Sequence, residues 1–184
     1  MSPSILSQRE IDALLMSLPV DAPSDYRRPF PLDDPPVVSS LGDAIRLAVL
    51  AHHGQIRKGD SGDPYILHPM RVMMQFRGDL FRTVAILHDV IEDCEGWTLD
   101  RFKGVWRGDS SVVEALDAIS RRTDESHNEY IKRLCESSIL AMMVKVRDIE
   151  DNLNDGEWCP EGLAKRYRND LETIMDAVLR KFDK

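Results

Sequence analysis

From Leu41 to the end of the chain, apolar residues recur at spacings of three and four, the period of an amphipathic helix. Leu41, Ile45, Ala48 and His52 share one predicted face. Val72, Met73 and Phe76 predict a short helix after Pro69, and Leu80, Val84, Leu87, His88 and Ile91 predict a third. Thr98 is placed to cap a short helix that contains Phe102. Val112, Val113, Leu116 and Ile119 predict the next. Ile139, Met142, Met143, Val146 and Leu153 mark a long one. Leu163, Tyr167, Leu171, Ile174, Val178 and Phe182 mark the last. No stretch alternates with the period of a strand and no repeat is evident, so the expected class is all-α.

The first forty residues break this pattern. They hold Pro3, Pro19, Pro23, Pro29, Pro31, Pro35 and Pro36, seven of the ten prolines. Proline lacks an amide donor and disfavours helix at the residue before it. Residues 19–40 are therefore expected to be an extended arm. Ahead of them, Ser7-Gln8-Arg9-Glu10 reads as a capping box before Ile11, Leu14 and Leu15, a single short helix. The expected organisation is a short helix and Pro-rich arm over 1–40 and one helical domain over 41–184.

Composition narrows the function classes. With 42% hydrophobic and 30% charged residues the chain is a soluble globular protein by composition. Its net charge of −8 argues against non-specific nucleic-acid binding, which needs a basic face. It leaves room for an anionic small substrate met by local cations. The three cysteines, Cys94, Cys135 and Cys159, form no CxxC pair and read as free thiols of a reducing compartment. No signal peptide and no apolar run of membrane-spanning length is present, so the expectation is a cytoplasmic protein without a membrane partner.

Four metal-ligand types stand on three predicted helices: His52, the adjacent pair His88-Asp89, and Asp148. His52 lies on the apolar stripe of its helix and so points inward. Asp148 lies among Met, Val and Ile, where a lone carboxylate costs several kcal/mol unless paired or metal-bound. Adjacent helical residues diverge by about 100°, so His88 and Asp89 meet one ion only if it lies near the helix edge. Two imidazoles and two carboxylates suit Mn, Fe, Co or Zn. Taken singly, each has an ordinary alternative: His52 as a core histidine, His88-Asp89 as a surface pair, and Asp148 as a partner of Lys145 or Arg147. Their coincidence in one small helical domain favours a metal centre.

Three segments bear a resemblance to a known family. Ala51-His52-His53-Gly54-Gln55-Ile56-Arg57-Lys58 with Pro64-Tyr65-Ile66-Leu67-His68-Pro69 resembles the opening of the RelA/SpoT-type HD-domain hydrolases. Ala85-Ile86-Leu87-His88-Asp89-Val90-Ile91-Glu92-Asp93 resembles their central motif. Val144-Lys145-Val146-Arg147-Asp148 with Asn152-Leu153 resembles their last. Order and spacing match over residues 41–155, and the small stand-alone alarmone hydrolases of the metazoan SpoT type are nearest in plan. The resemblance implies an HD-type helical bundle. It implies one Mn²⁺ held by His52, His88, Asp89 and Asp148, with Glu92 and Asp93 as the catalytic acidic pair. It further implies that Arg57, Lys58, Tyr65, Lys145 and Asn152 meet a nucleotide substrate, with Arg71 and Arg147 as further cations for its phosphates. Tyr65 also has a packing reading, and His68-Pro69 reads as a cap of the following helix.

The implied reaction is hydrolytic removal of a 3′-pyrophosphate from nucleotides such as (p)ppGpp or (p)ppApp. The alternatives are a metal-dependent phosphatase of another nucleotide, NADPH among them, and a non-catalytic nucleotide sensor. Where the family follows its last aspartate with Arg, Leu and His, this chain has Ile149, Glu150 and Asp151, which leaves guanosine against adenosine open. Ser120-Arg121 stands in place of the family's Thr-Lys. A second, shorter resemblance covers residues 5–15, which look like the amino-terminal segment of flagellar motor switch proteins. It implies docking to a receiver domain, against the plainer reading of an arm packed on its own domain or a second copy.

Overall fold

The computed structural model describes residues 37–58, 62–154 and 159–183. The short helix and receiver-docking segment expected at 5–15, and most of the expected arm, lie outside these. The described residues form α1 (Leu41–Ala51), α2 (Leu67–Met74), α3 (Asp79–Leu87), α4 (Val90–Asp93), α5 (Leu99–Val105), α6 (Ser110–Ile119), α7 (His127–Glu136), α8 (Ile139–Asn154) and α9 (Glu161–Phe182). Among them there is no strand, only isolated backbone bridges between Val38 and Trp106 and between Ile56 and Pro64. Val38 is fully buried, and its amide donates to the Val105 carbonyl.

Local chemistry sets the helix starts. The Ser40 hydroxyl accepts from the Asp43 amide, Thr98 from Arg101 and Asp109 from Ser111. The apolar faces then converge. α8 packs against α2, α3, α6, α7 and α9. Leu47, Ile86, Leu87, Phe102, Leu116, Leu134, Met142, Ile149 and Ile174 are fully buried around it. The stripe of α9 runs out before the helix does: its last turn carries Arg180 and Lys181, and Phe182 is 71% exposed.

Two features depart from the periodic reading. The expected helix over residues 80–91 is interrupted. α3 ends at Leu87, His88 and Asp89 form a turn, and α4 adds one short turn ending at Asp93. Both residues of the turn nevertheless keep right-handed helical backbone angles. The second departure is α7, which the apolar pattern passes over because only Tyr130, Ile131 and Leu134 of it are buried. Its start signal is nonetheless complete, a capping box between Ser126 and Glu129.

α7 holds the loop that follows α6. The Arg133 guanidinium donates to both oxygens of Glu125, at 2.7 and 2.8 Å, and to the carbonyls of Asp117, Ala118 and Ser120. This pairing lowers the Glu125 carboxyl from 4.5 to about 2. A carboxylate held lower in the folded than in the unfolded chain stabilises above its unfolded pKa, and loses that contribution as pH falls through the folded one. Glu125→Gln is therefore expected to lower stability by about 1 kcal/mol near neutrality. It should also flatten the wild-type loss between pH 4.5 and about 2, read from denaturant midpoints. An unchanged acid limb would assign that loss to other carboxylates.

Candidate active site

The helices enclose a cavity of about 440 Å³, in the range of small-molecule sites. Asp89, Asp148 and His68 line its buried end, and Gln55, Arg57, Lys58, Tyr65, Glu92, Asp93, Lys145, Asn152 and Tyr167 line the rest. His52 and His88 stand behind this lining, 2% and 1% exposed.

Each histidine has a defined tautomer. His52 closes the C-terminus of α1, and its Nδ1 lies 2.7 Å from Gln55 Oε1. The Gln55 amide is oriented by its other end, since Nε2 donates to the Asp93 carbonyl at 2.7 Å. Nδ1 of His52 therefore carries the proton and Nε2 keeps its lone pair. His88 repeats the device, with Nδ1 donating to the Ala85 carbonyl at 2.7 Å. The freed Nε2 of His88 is buried without a hydrogen-bond partner, 3.1 Å from Asp89 Oδ1 and 3.5 Å from Asp148 Oδ1. Burial opposes protonation of this nitrogen, but Asp89 and Asp148 raise the His88 pKa well above its ordinary value, so Nε2 takes up either a proton or a cation between the carboxylates. One atom each from His68, His88 and Asp148 lies within 4.8 Å of the others, a set able to hold a metal ion. Burial lowers the His52 pKa and favours the neutral imidazole that ligates metals.

Interlocking hydrogen bonds hold the carboxylates. Asp148 Oδ1 accepts from Asn152 Nδ2 at 2.8 Å and lies 3.0 Å from His68 Nε2, while Oδ2 lies 2.8 Å from Lys145 Nζ. Burial opposes ionisation of Asp148, but Lys145 and the neighbouring histidines hold its carboxyl well below the ordinary range. Burial likewise opposes ionisation of Asp89, and His88 beside it prevails. The Tyr65 hydroxyl sits 2.8 Å from both Asp89 Oδ2 and Asp93 Oδ2, and its ring stacks on His52 at 4.9 Å. Tyr65 thus joins the expected ligands to the expected acidic pair. Burial of the Cys94 thiol, 3.3 Å from His52 Nδ1, pushes it up to about 12, so it stays neutral.

The rim is polar on both sides. The Glu92 carboxylate accepts the backbone N–H of Arg121 from the loop that Arg133 clamps. Glu92 is open to solvent by area, yet protein crowds its carboxyl and raises its pKa, with the Arg121 amide and Lys145 offsetting part of the rise. Opposite, Arg57 is buried, donates to Asn152 Oδ1 at 2.6 Å and lies over the Tyr65 ring. Lys58 is exposed at the mouth.

Known proteins resemble this chain in sequence and fold. The chain is 35% identical over 133 residues to the guanosine-3′,5′-bis(diphosphate) 3′-pyrophosphohydrolase of Vibrio cholerae, covering 65% of this chain and 17% of that protein. It is 28% identical over 148 residues to the enzyme of the same description from Danio rerio, covering 75% of this chain and 82% of that protein. A solved structure of a metazoan SpoT orthologue matches with a TM-score of 0.61 at 21% identity, over 74% of this chain and 84% of that one. The chain is a homologue of the RelA/SpoT-type HD-domain hydrolases. No family model matches it. It spans 17% and 21% of the length of the Vibrio cholerae and Borreliella burgdorferi relatives. No helix among its described residues is long and apolar enough to cross a membrane.

In this RelA/SpoT-type homologue Asp89, Asp148, Glu92, Asp93, Arg57, Lys58, Tyr65, Lys145 and Asn152 line one cavity and His88 lies against Asp89 and Asp148, whereas His52, stacked on Tyr65, is neither in the lining nor in the set able to hold a metal, where His68 stands instead. The structure corrects three further expectations. His68 is not a helix cap: it is the second residue of α2, 1% exposed, with its ring against Asp148 and Asp151. Arg147 pairs with Glu150 at 2.6 Å and does not line the cavity. Arg71 pairs with Asp151 instead of lining the cavity. Tyr167 of α9 and Asp151 of α8 are the further polar groups that sequence reasoning left unassigned. The signals for His68 were a histidine inside an apolar run, Ile66-Leu67-His68-Pro69-Met70, and its place in the first resembling segment.

Proposed function

We propose that this chain is a Mn²⁺-dependent hydrolase that removes the 3′-pyrophosphate from alarmone nucleotides such as (p)ppGpp or (p)ppApp, with His68, His88 and Asp148, and Asp89 beside them, as the metal ligands in place of the expected set that included His52. The observation that carries the reading is the unpartnered His88 Nε2 facing Asp89 and Asp148 at the end of a cavity whose mouth carries Glu92, Arg57 and Lys58. The names of the Vibrio cholerae and Danio rerio relatives support removal of a 3′-pyrophosphate from the guanosine nucleotide. Divalent chemistry fits the donor set, since two neutral imidazoles and two carboxylates offset the charge of one ion.

A divalent ion at this place supplies a Lewis-acid contact to a phosphoryl oxygen and acidifies water. The protein's own groups do the rest. Glu92, with its carboxyl raised and anchored by the Arg121 amide, accepts the proton of the attacking water. The new O–P bond forms as the bond from phosphorus to the 3′-oxygen breaks. Asp93, fixed by Tyr65, orients that water. Arg57, Lys58 and Lys145 meet the phosphate charge that grows in the transition state. Asn152, bridging Arg57 and Asp148, lies where it meets the sugar.

The direct test is anion-exchange analysis of products from the Mn²⁺-loaded protein with guanosine and adenosine 3′-pyrophosphates side by side. Pyrophosphate release is expected, and the relative rates give the base preference. Orthophosphate as the product would make the protein a phosphatase, and tight binding without turnover a sensor. Either would overturn the reading.

A further inference from the structure

We propose that Asp151 and Arg71 are positioning residues that fix the imidazole of His68, which with His88 and Asp148 forms the set able to hold a divalent ion, and so keep that set in register for the ion. This rests on reading the cavity as a metal centre, and it assigns a role to residues outside the expected ligand set. Asp151 is 8% exposed, and a carboxylate at that depth is retained only where it is paired. Its Oδ2 lies 2.7 Å from His68 Nδ1. Its two oxygens accept from Arg71 Nε and Nη2, both at 2.9 Å, the bidentate fork that fixes a carboxylate in plane and in distance. On the far side of the ring, His68 Nε2 lies 3.0 Å from Asp148 Oδ1 and 3.5 Å from Asp89 Oδ2.

Helical spacing makes the device possible. His68 and Arg71 are three residues apart on α2, and Asp148 and Asp151 are three apart on α8, so each pair shares a face. The two helices are laced through these four side chains. The imidazole is clamped between Asp151, braced by Arg71, and the carboxylates at the buried end of the cavity. Asp151 stands where the resembling family carries histidine, so this brace belongs to this chain.

Full-length wild type, Asp151→Asn and Arg71→Gln are compared by calorimetric Mn²⁺ titration and by turnover at several Mn²⁺ concentrations. Loss of such an outer partner typically weakens metal binding by about 10- to 100-fold. Asp151→Asn is therefore expected to bind Mn²⁺ at least about tenfold more weakly. Its kcat should recover as Mn²⁺ is raised, with the nucleotide KM unchanged. Arg71→Gln should shift Mn²⁺ affinity in the same direction by less. Wild-type Mn²⁺ affinity in Asp151→Asn overturns the proposal. So does a loss that appears as a raised nucleotide KM with Mn²⁺ affinity intact. If circular dichroism shows Asp151→Asn unfolded, Arg71→Gln decides alone, and unchanged Mn²⁺ affinity there overturns it. A wild type that binds Mn²⁺ but releases no pyrophosphate overturns the proposed reaction and leaves the Mn²⁺ comparison standing.

Discussion

Asp148→Asn is expected to reduce pyrophosphate release by at least about 100-fold, the upper end of what outer-shell partners cost at metal sites, and to weaken Mn²⁺ binding in parallel. The residue sits where three influences meet. Its Oδ1 takes the Asn152 amide and faces His68 and His88, and its Oδ2 pairs with Lys145. Asparagine keeps the size and one accepting oxygen, but removes the charge that draws a cation in. It also leaves Lys145, whose side chain is 18% exposed, without its nearest carboxylate. Breaking a buried pair costs roughly 3–5 kcal/mol, and the partial exposure of Lys145 puts this case at the lower end. Calorimetry with Mn²⁺, product analysis and a denaturant melt separate the two effects. A folded variant that still binds Mn²⁺ like the wild type would remove Asp148 from the ligand set.

Glu92→Gln should behave in the opposite way on binding. The glutamine oxygen can still accept the Arg121 amide, so the loop after α6 keeps its tie. Glu92 is outside the set able to hold the ion, and that set is expected to bind Mn²⁺ as in the wild type. What is lost is a proton acceptor at the mouth, and general bases contribute about 10²–10⁴-fold. A fall in kcat of that size is expected, with KM for the nucleotide nearly unchanged. A variant with wild-type kcat would show that the attacking water is deprotonated elsewhere, with Asp93 next in position. Lost Mn²⁺ affinity would instead place Glu92 among the residues that hold the ion.

Much of this site was legible in the chain because its signals are local. His52 on a helical stripe, the pair His88-Asp89, the following Glu92-Asp93, and Asp148 with Asn152 one turn later are patterns of spacing, and spacing survives into the helices. The interruption at His88-Asp89 was not legible. Its flanks are apolar at helical period, and nothing in those residues shows that the helix stops for a turn. α7 was missed for the converse reason: its apolar face is short, although Ser126 and Glu129 announce its start. His68 was misread because a histidine before a proline at a helix start looks the same whether it caps the helix or reaches a neighbour.

The sequence by itself determined the all-α class, most helix positions, and the residues available for metal and phosphate chemistry, since periodicity and capping act over a few residues. The tertiary structure alone decided which polar groups satisfy one another. Gln55 reaches from α1's end to Asp93 and sets the tautomer of His52. Arg121, held by the Arg133 clamp, anchors Glu92 across 29 residues. Asp151 braces His68 across 83 residues and Arg71 across 80. A buried charge or hydrogen-bonding group must find a partner wherever packing delivers one, and that choice is made between helices distant in sequence.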